Sequence, residues 1–275
     1  MTQLVRSWSL RGLTVAVALL AGGCLSPVHT RPARVLEPGE NEVAVGISQA
    51  TAMASAVDYF DGSNVAIRKP ATTEMLVNAA PELSYHRGVA KDFELGVRVG
   101  GAALLGQLEG QYRYLRTPTA AGELHLSAGL LAGTQLAKSV AGSRLALPLR
   151  ATLDLTPNLG LSAAVHAGWR WVDAAAVDPQ LQPDKIDALR WIQGNGGLEY
   201  GAGLLADYRT DSWFARLGVE IAQWSGQIGA QGRLSDYSTT TVQAVLAGGL
   251  TWGKDAAQIR RAAEDLDSLT APKVP

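Results

Sequence analysis

At 275 residues with a formal net charge of -1, the chain offers no electrostatic case for nucleic-acid binding. One cysteine excludes an internal disulfide and any site built from several cysteine ligands, and no metal site or cofactor is expected. Hydrophobic residues make up 47% and charged residues only 18%. Yet no run beyond the N-terminal segment approaches the ~18 uncharged apolar residues of a membrane helix.

Arg6 and Arg11 precede an uncharged stretch from Leu13 to Gly23, where Gly22 and Gly23 lead into Cys24. A basic region, an apolar region and a small-residue cleavage site make a secretory signal, and the stretch is too short to span a bilayer. The run Leu19-Leu20-Ala21-Gly22-Gly23-Cys24 resembles the lipobox of bacterial lipoproteins, with the usual leucine one place early at Leu20 and Ala21 in its position. The resemblance implies loss of residues 1–23, a diacylglyceryl group on the Cys24 thiol and acylation of the new amine. The alternative is an ordinary secretory signal with an incidental cysteine. Leu25 rather than an aspartate follows, which resembles outer-membrane sorting in enterobacterial lipoproteins. Residues 24–40 contain Pro27, Pro32 and Pro38 with little periodicity, and read as a lipidated, extended tether to the first strand.

From Val43 onward the chain alternates, weakly over 42–49 and 74–86. From Asp92 to Gly100, Phe93, Leu95, Val97 and Val99 oppose Glu94, Gly96 and Arg98. The stretch 104–115 follows. From Glu123, Leu124, Leu126, Ala128 and Leu130 oppose Glu123, His125, Ser127 and Gly129. Between Arg144 and Leu155, Leu145, Leu147, Leu149, Ala151 and Leu153 oppose Arg144, Arg150, Thr152 and Asp154. Leu161, Ala163, Val165, Ala167, Trp169 and Trp171 then oppose Ser162, His166 and Arg170, and 197–208, 213–223 and 239–252 read the same way. A period of two belongs to a strand; a helical period would scatter the arginines. The sum is about ten strands of roughly nine to fourteen residues, longer than the ~5–6 of soluble sheets and suited to a tilted bilayer crossing.

The fold expected is therefore all-β: an antiparallel transmembrane β-barrel of about ten strands over residues 41–252, with a short periplasmic helix in a tail over 253–275. Aromatic residues gather at strand ends on the apolar parity. With both termini periplasmic, Tyr85, Phe93, Tyr112, Tyr114, Tyr208, Trp213 and Trp252 form a lower girdle, and Trp169, Trp171 and Tyr200 an upper one. The other parity lines a lumen with Glu94, Arg98, Glu109, Arg113, Glu123, Arg144, Arg150, Asp154, Arg170, Glu199, Asp207, Arg216 and Glu220. Phe214 and Trp224 break the scheme. A soluble lipocalin-like barrel carries the same stripes with the apolar face inward. Short connections (88–91, 117–122, 156–160, 209–212) alternate with longer ones (50–72, 136–143, 173–195, 225–237), as periplasmic turns and extracellular loops do; 100–103 is the tight exception on the outer side.

The hairpin from Glu82 to Arg98, with Tyr85, a glycine turn at Gly88 to Lys91 and the strand Phe93-Glu94-Leu95-Gly96, resembles the second hairpin of small, largely uncharacterised Gram-negative outer-membrane barrels. The resemblance implies an outer-membrane location and dependence on the barrel-assembly machinery, and carries no catalytic residues. Such barrels often end on an aromatic in the last strand; here residues follow Trp252, which implies an internal assembly signal.

In the tail, Asp255 and Gln258 form a capping box, and Ile259, Ala262, Ala263, Leu266 and Leu269 share a face before Pro272. This helix docks under the barrel, plugs it or receives a protein partner. Asp173, Asp178, Asp184 and Asp187 read as solvated loop acids without EF-hand spacing. Pro183 to Gln193 suits one or two helical turns, and Gly194 to Gly197 a turn. Ser162 and His166 lie about 13 Å apart along one strand, and His125 and Ser127 about 7 Å, too far for a nucleophile and its base. No enzymatic activity is expected. The function expected is that of a lipid-anchored outer-membrane barrel with a largely occluded, charge-paired lumen, structural or interactive through its loops or tail. Its partners are outer-membrane lipid and the barrel-assembly and lipoprotein-processing machineries. A narrow channel for small solutes or hydrophobic compounds is the first alternative, and a soluble periplasmic lipocalin-like binding lipoprotein the second.

Overall fold

The alternating stretches become one continuous ladder. A computed structural model describes residues 31–54, 57–60, 66–69, 72–100, 105–137, 140–173, 193–230 and 233–253. Ten antiparallel strands close into a barrel: β1 (Asn41–Ala54), β4 (Thr72–Ala90), β5 (Phe93–Gly100), β6 (Leu105–Thr119), β7 (Gly122–Ala137), β8 (Val140–Asp154), β9 (Leu159–Asp173), β10 (Gln193–Arg209), β11 (Trp213–Ala230) and β12 (Arg233–Trp252). Each pairs with its neighbour around the ring, and β1 meets β12 from Asn41↔Trp252 to Ala54↔Thr239, which closes the barrel. A small separate hairpin, β2 (Val57–Phe60) and β3 (Ala66–Lys69), lies between β1 and β4.

Two expected loops are instead ladder. β7 and β8 run on to Ala137 and Val140, and β11 and β12 stay paired from Trp224↔Thr239 to Ala230↔Arg233. Sequence periodicity misses these extensions because Ser225, Gly226, Gln227, Ser235 and Ser238 are small or polar on both faces. Gly88 is likewise strand rather than turn. The β4–β5 turn is Lys91-Asp92, with Asp92 at φ 61°, a conformation an aspartate tolerates. The expected tail helix, the turns expected over 183–193 as far as residue 192, Cys24 and the loop acids Asp178, Asp184 and Asp187 lie outside the described residues, and Gln193 opens β10.

Burial follows parity and is inverted relative to a water-soluble barrel. Val45, Leu108, Leu147, Val165, Leu204, Leu217 and Leu246 are all more than half exposed on the outer wall, while Glu42, Glu199 and Asp207 are fully buried inside. Phe214 and Trp224, which break the sequence pattern, point inward and are buried. The Arg216 guanidinium lies 4.0 Å from the centre of the Phe214 ring, so this aromatic fills lumen space and faces a cation at once.

Candidate functional site

The largest departure from the sequence reading is in the segment before β1. An extended tether was expected over 24–40, but residues 31–36 lie inside the barrel, at the end with the short turns. Ala33 is 0% and Leu36 2% exposed, and Arg31 is as buried. The segment enters along β4: the Gly39 amide donates to the Gly88 carbonyl (2.8 Å) and the Gly88 amide to the Glu40 carbonyl (2.9 Å). A Cβ at Gly88 would overlap the carbonyl oxygens of Leu36 and Glu37, so this glycine is a notch for the incoming backbone. Proline at 32 and 38 removes two amide donors that a buried, irregular segment would otherwise have to satisfy.

Polar wall groups read this segment. The Leu36 amide donates to Glu94 Oε2 (2.8 Å), the Ala33 amide to Thr152 Oγ1 (2.6 Å), and Gln111 Nε2 to the Pro32 carbonyl (2.9 Å). Arg31 pairs with Glu42 and, at 2.7 Å, with Glu94. Glu94 thus holds both ends of the 31–36 stretch, while Ala33 between them meets Thr152 on β8. Arg34 pairs with Asp154 (2.7 Å) and Asp207 (3.4 Å). Buried charges of this kind need paired, multiply bonded partners.

The wall pairs charges of its own around this floor. Arg216 donates to both oxygens of Glu42 (2.8 Å each) and to Asp207 (2.7 Å), and Arg209 reaches Glu42 at 3.2 Å. Arg150 pairs with Glu109 and donates to Gln111 (2.7 Å). Arg113 pairs with Asp92 and, at 3.7 Å, Glu37. Arg98 lies 3.9 Å from Glu82. His86 stands 3.8 Å from Glu94, and His125 donates to or accepts from Asp154 at 3.0 Å. Glu123 alone among the sequence-nominated lumen acids sits at the rim, about a third exposed, in a two-bond pair with Arg116 (2.6 and 3.1 Å).

A second cluster occupies the half nearer the long connections. Arg144 and Arg170 are direct cross-strand neighbours, and the fully buried Glu199 lies between them, paired with Arg144 and at 2.7 Å with Arg170. His166 bridges from Glu199 (3.4 Å) toward Glu220 (4.0 Å). The Ser162 hydroxyl bonds Thr152 (2.7 Å), on the level of the plug contacts.

On the outside, Tyr85, Tyr112, Tyr114, Tyr208, Trp213 and Trp252 stand exposed near the short-turn end, with Phe93 half-buried. Tyr85 packs 6.3 Å from Trp252 and donates to Asn41, and Tyr208 packs 5.4 Å from Trp213. Trp169, Trp171 and Tyr200 stand exposed toward the other end, and Tyr200 donates to Gln223 (2.7 Å). Sequence reasoning missed Arg31, Arg34, Glu42, His86 and Gln111, and placed Thr152 on the polar face of its strand without giving it a role. The local signal was inward parity: Glu42 against Val43 and Val45, His86 against Tyr85 and Gln111 against Tyr112.

No protein-family model and no curated protein matches the chain. Among solved structures it is similar to the outer membrane protein OprG from Pseudomonas aeruginosa: 10% identity, TM-score 0.38, 78% of this chain and 97% of that one. It is also similar to the outer membrane protease OmpT from Escherichia coli: 7% identity, TM-score 0.42, covering 80% and 98%. Neisserial surface protein A gives 11% identity and a TM-score of 0.32, covering 74% and 95%. Likeness at this level carries no statement about activity, ligand or partner.

Proposed function

We propose that the chain is an outer-membrane β-barrel, anchored by lipid at Cys24, whose lumen is occluded by its own N-terminal segment. Its role is structural or interactive, through the long connections or the tail. The observation that carries this reading is the inverted wall: apolar residues exposed outside between two sets of aromatics, ion pairs inside, and residues 31–36 set into the space that remains. A closed ladder satisfies every backbone group, so such a wall is stable in hydrocarbon and ill-suited to water.

The plug supports the anchor as well. It sits at the short-turn end, and the seven-residue step from Cys24 to Arg31 spans at most about 25 Å. Acyl chains at Cys24 would then be within reach of the leaflet at that same end, which fits its assignment as the periplasmic one. The Cys24→Ser protein is expected to lose acyl labelling yet remain in the outer membrane with heat-modifiable gel mobility. Recovery as a soluble periplasmic protein would sink the barrel reading, and unchanged labelling would sink the anchor. Planar-bilayer recording tests occlusion: the wild type stays closed, and steady ohmic conductance would favour the narrow channel.

A further inference from the structure

A permanent core would have no need of the way the lumen floor holds residues 31–36. Three of the four carboxylates touched by Arg31 or Arg34 have a second partner on the wall. Glu42 keeps Arg216 and Arg209, Asp207 keeps Arg216 and Asp154 keeps His125; Glu94, 3.8 Å from a His86 ring that makes no hydrogen bond to it, is the exception. Departure of the two plug arginines therefore leaves a bonded basic neighbour on three of the four wall carboxylates, and the cost of a broken buried pair falls on Glu94 alone. The ring itself closes through β1 and β12 and takes no strand from the segment.

The floor also has the features of a peptide site. Glu94, Thr152 and Gln111 engage main-chain groups of Leu36, Ala33 and Pro32, while two carboxylate pairs receive guanidinium groups three residues apart. Gly88 supplies a notch without a side chain where the backbone enters. Main-chain bonds give affinity without sequence preference, and guanidinium–carboxylate pairs add it.

We propose that residues 31–36 are an exchangeable plug, and that the floor they cover is a binding site for a short peptide carrying two guanidinium groups three residues apart, the chain's own segment being the resident ligand. When the segment leaves, the floor loses the two positive charges of Arg31 and Arg34, Arg209 and Arg216 stay with Glu42 and Asp207, and the uncompensated Glu94 and Asp154 make the passage favour cations. This rests on the occluded-lumen reading above, and the experiment separates the two.

Full-length Arg31→Ser/Arg34→Ser protein is reconstituted in planar bilayers beside the wild type. The variant is expected to show a roughly tenfold or greater rise in open-time fraction, the effect of a modest change in a two-state balance, with a cation-selective reversal potential. A synthetic Arg-Pro-Ala-Arg-Val-Leu-Glu peptide then closes it, and the same peptide with serine at both arginines does not. A folded variant that stays closed, or one that ignores the arginine peptide, overturns the proposal. Should the variant not fold, hydrogen exchange on the wild type decides. The Ala33 and Leu36 amides are expected to exchange through local opening, at least roughly tenfold faster than strand amides. Exchange of these two only in step with the strands overturns exchangeability. Steady conductance of the wild type would instead count against occlusion, while titration of the labelled peptide onto the variant in detergent still decides whether the floor is a peptide site.

Discussion

The two halves of the lumen solve the same electrostatic problem with different permanence. Near the long connections, Arg144, His166, Arg170, Glu199 and Glu220 all come from adjacent strands β8 to β11, so their meeting is fixed by register. Two arginines face each other directly across the ladder, and the Glu199 carboxylate lies between them. At the short-turn end the carboxylates are shared between the wall and a segment that belongs to no strand. The upper cluster is set by strand register alone, whereas the lower one also holds a segment that the ring does not need for closure.

That contrast is most exposed at Glu199. Replacing it by alanine leaves two buried arginines opposed without their shared anion, and about 3–5 kcal/mol of stability is expected to go. A large fall in the temperature of heat-modifiable mobility measures this; a barrel as stable as wild type would erase the distinction between the halves. Leu204→Arg tests the frame that both halves share. Leu204 is 62% exposed on β10, midway between Tyr200 and Tyr208, and arginine there should cost about 2–4 kcal/mol if this belt lies in hydrocarbon. An unaffected barrel in lipid vesicles would mean the belt faces water.

Glu94→Gln addresses the floor. It weakens the Arg31 pair and the bond from the Leu36 amide, at a cost of about 1.5–3 kcal/mol expected to fall on the plug. The Ala33 and Leu36 amides should lose exchange protection while the strand amides of β5 and β6 keep theirs. Equal loss in both would show that plug and wall open as one unit. The smallest effect is expected from Ser162→Ala. It removes one hydroxyl bond to Thr152, which still accepts from the Ala33 amide, so about 0.5–1.5 kcal/mol or less should be lost. A larger loss, read by denaturant midpoint, would make Ser162 part of the plug's seat.

How much of this was legible depends on which residues are asked. Leu145, Leu147 and Leu149 against Arg144 and Arg150 announce a strand with one apolar face, because side-chain period and burial coincide there. Arg144, Arg170 and Glu199 were nominated as lumen charges from parity, although parity says nothing of two arginines becoming direct neighbours. Residues 31–40 have no period at all. Their burial depends on Glu42, Glu94, Thr152, Asp154 and Asp207, groups scattered through the chain and collected only by closure. A segment recognised by complementarity rather than by its own pattern reads as a linker. Gly88 misled for a related reason: the glycine is needed for close backbone approach, which from sequence looks like a turn.

Glu42 carries one further consequence. Its bonds to Arg209 and Arg216 join residues 167 and 174 positions apart, between the first barrel strand and the second- and third-last. Such contacts exist only once the ring is complete, so the carboxylate acts as a clasp across the seam where the oldest-made and newest-made strands meet. The same residue grips Arg31. Protection of the N-terminal segment is thereby a report, written at one end of the chain, that the other end has arrived.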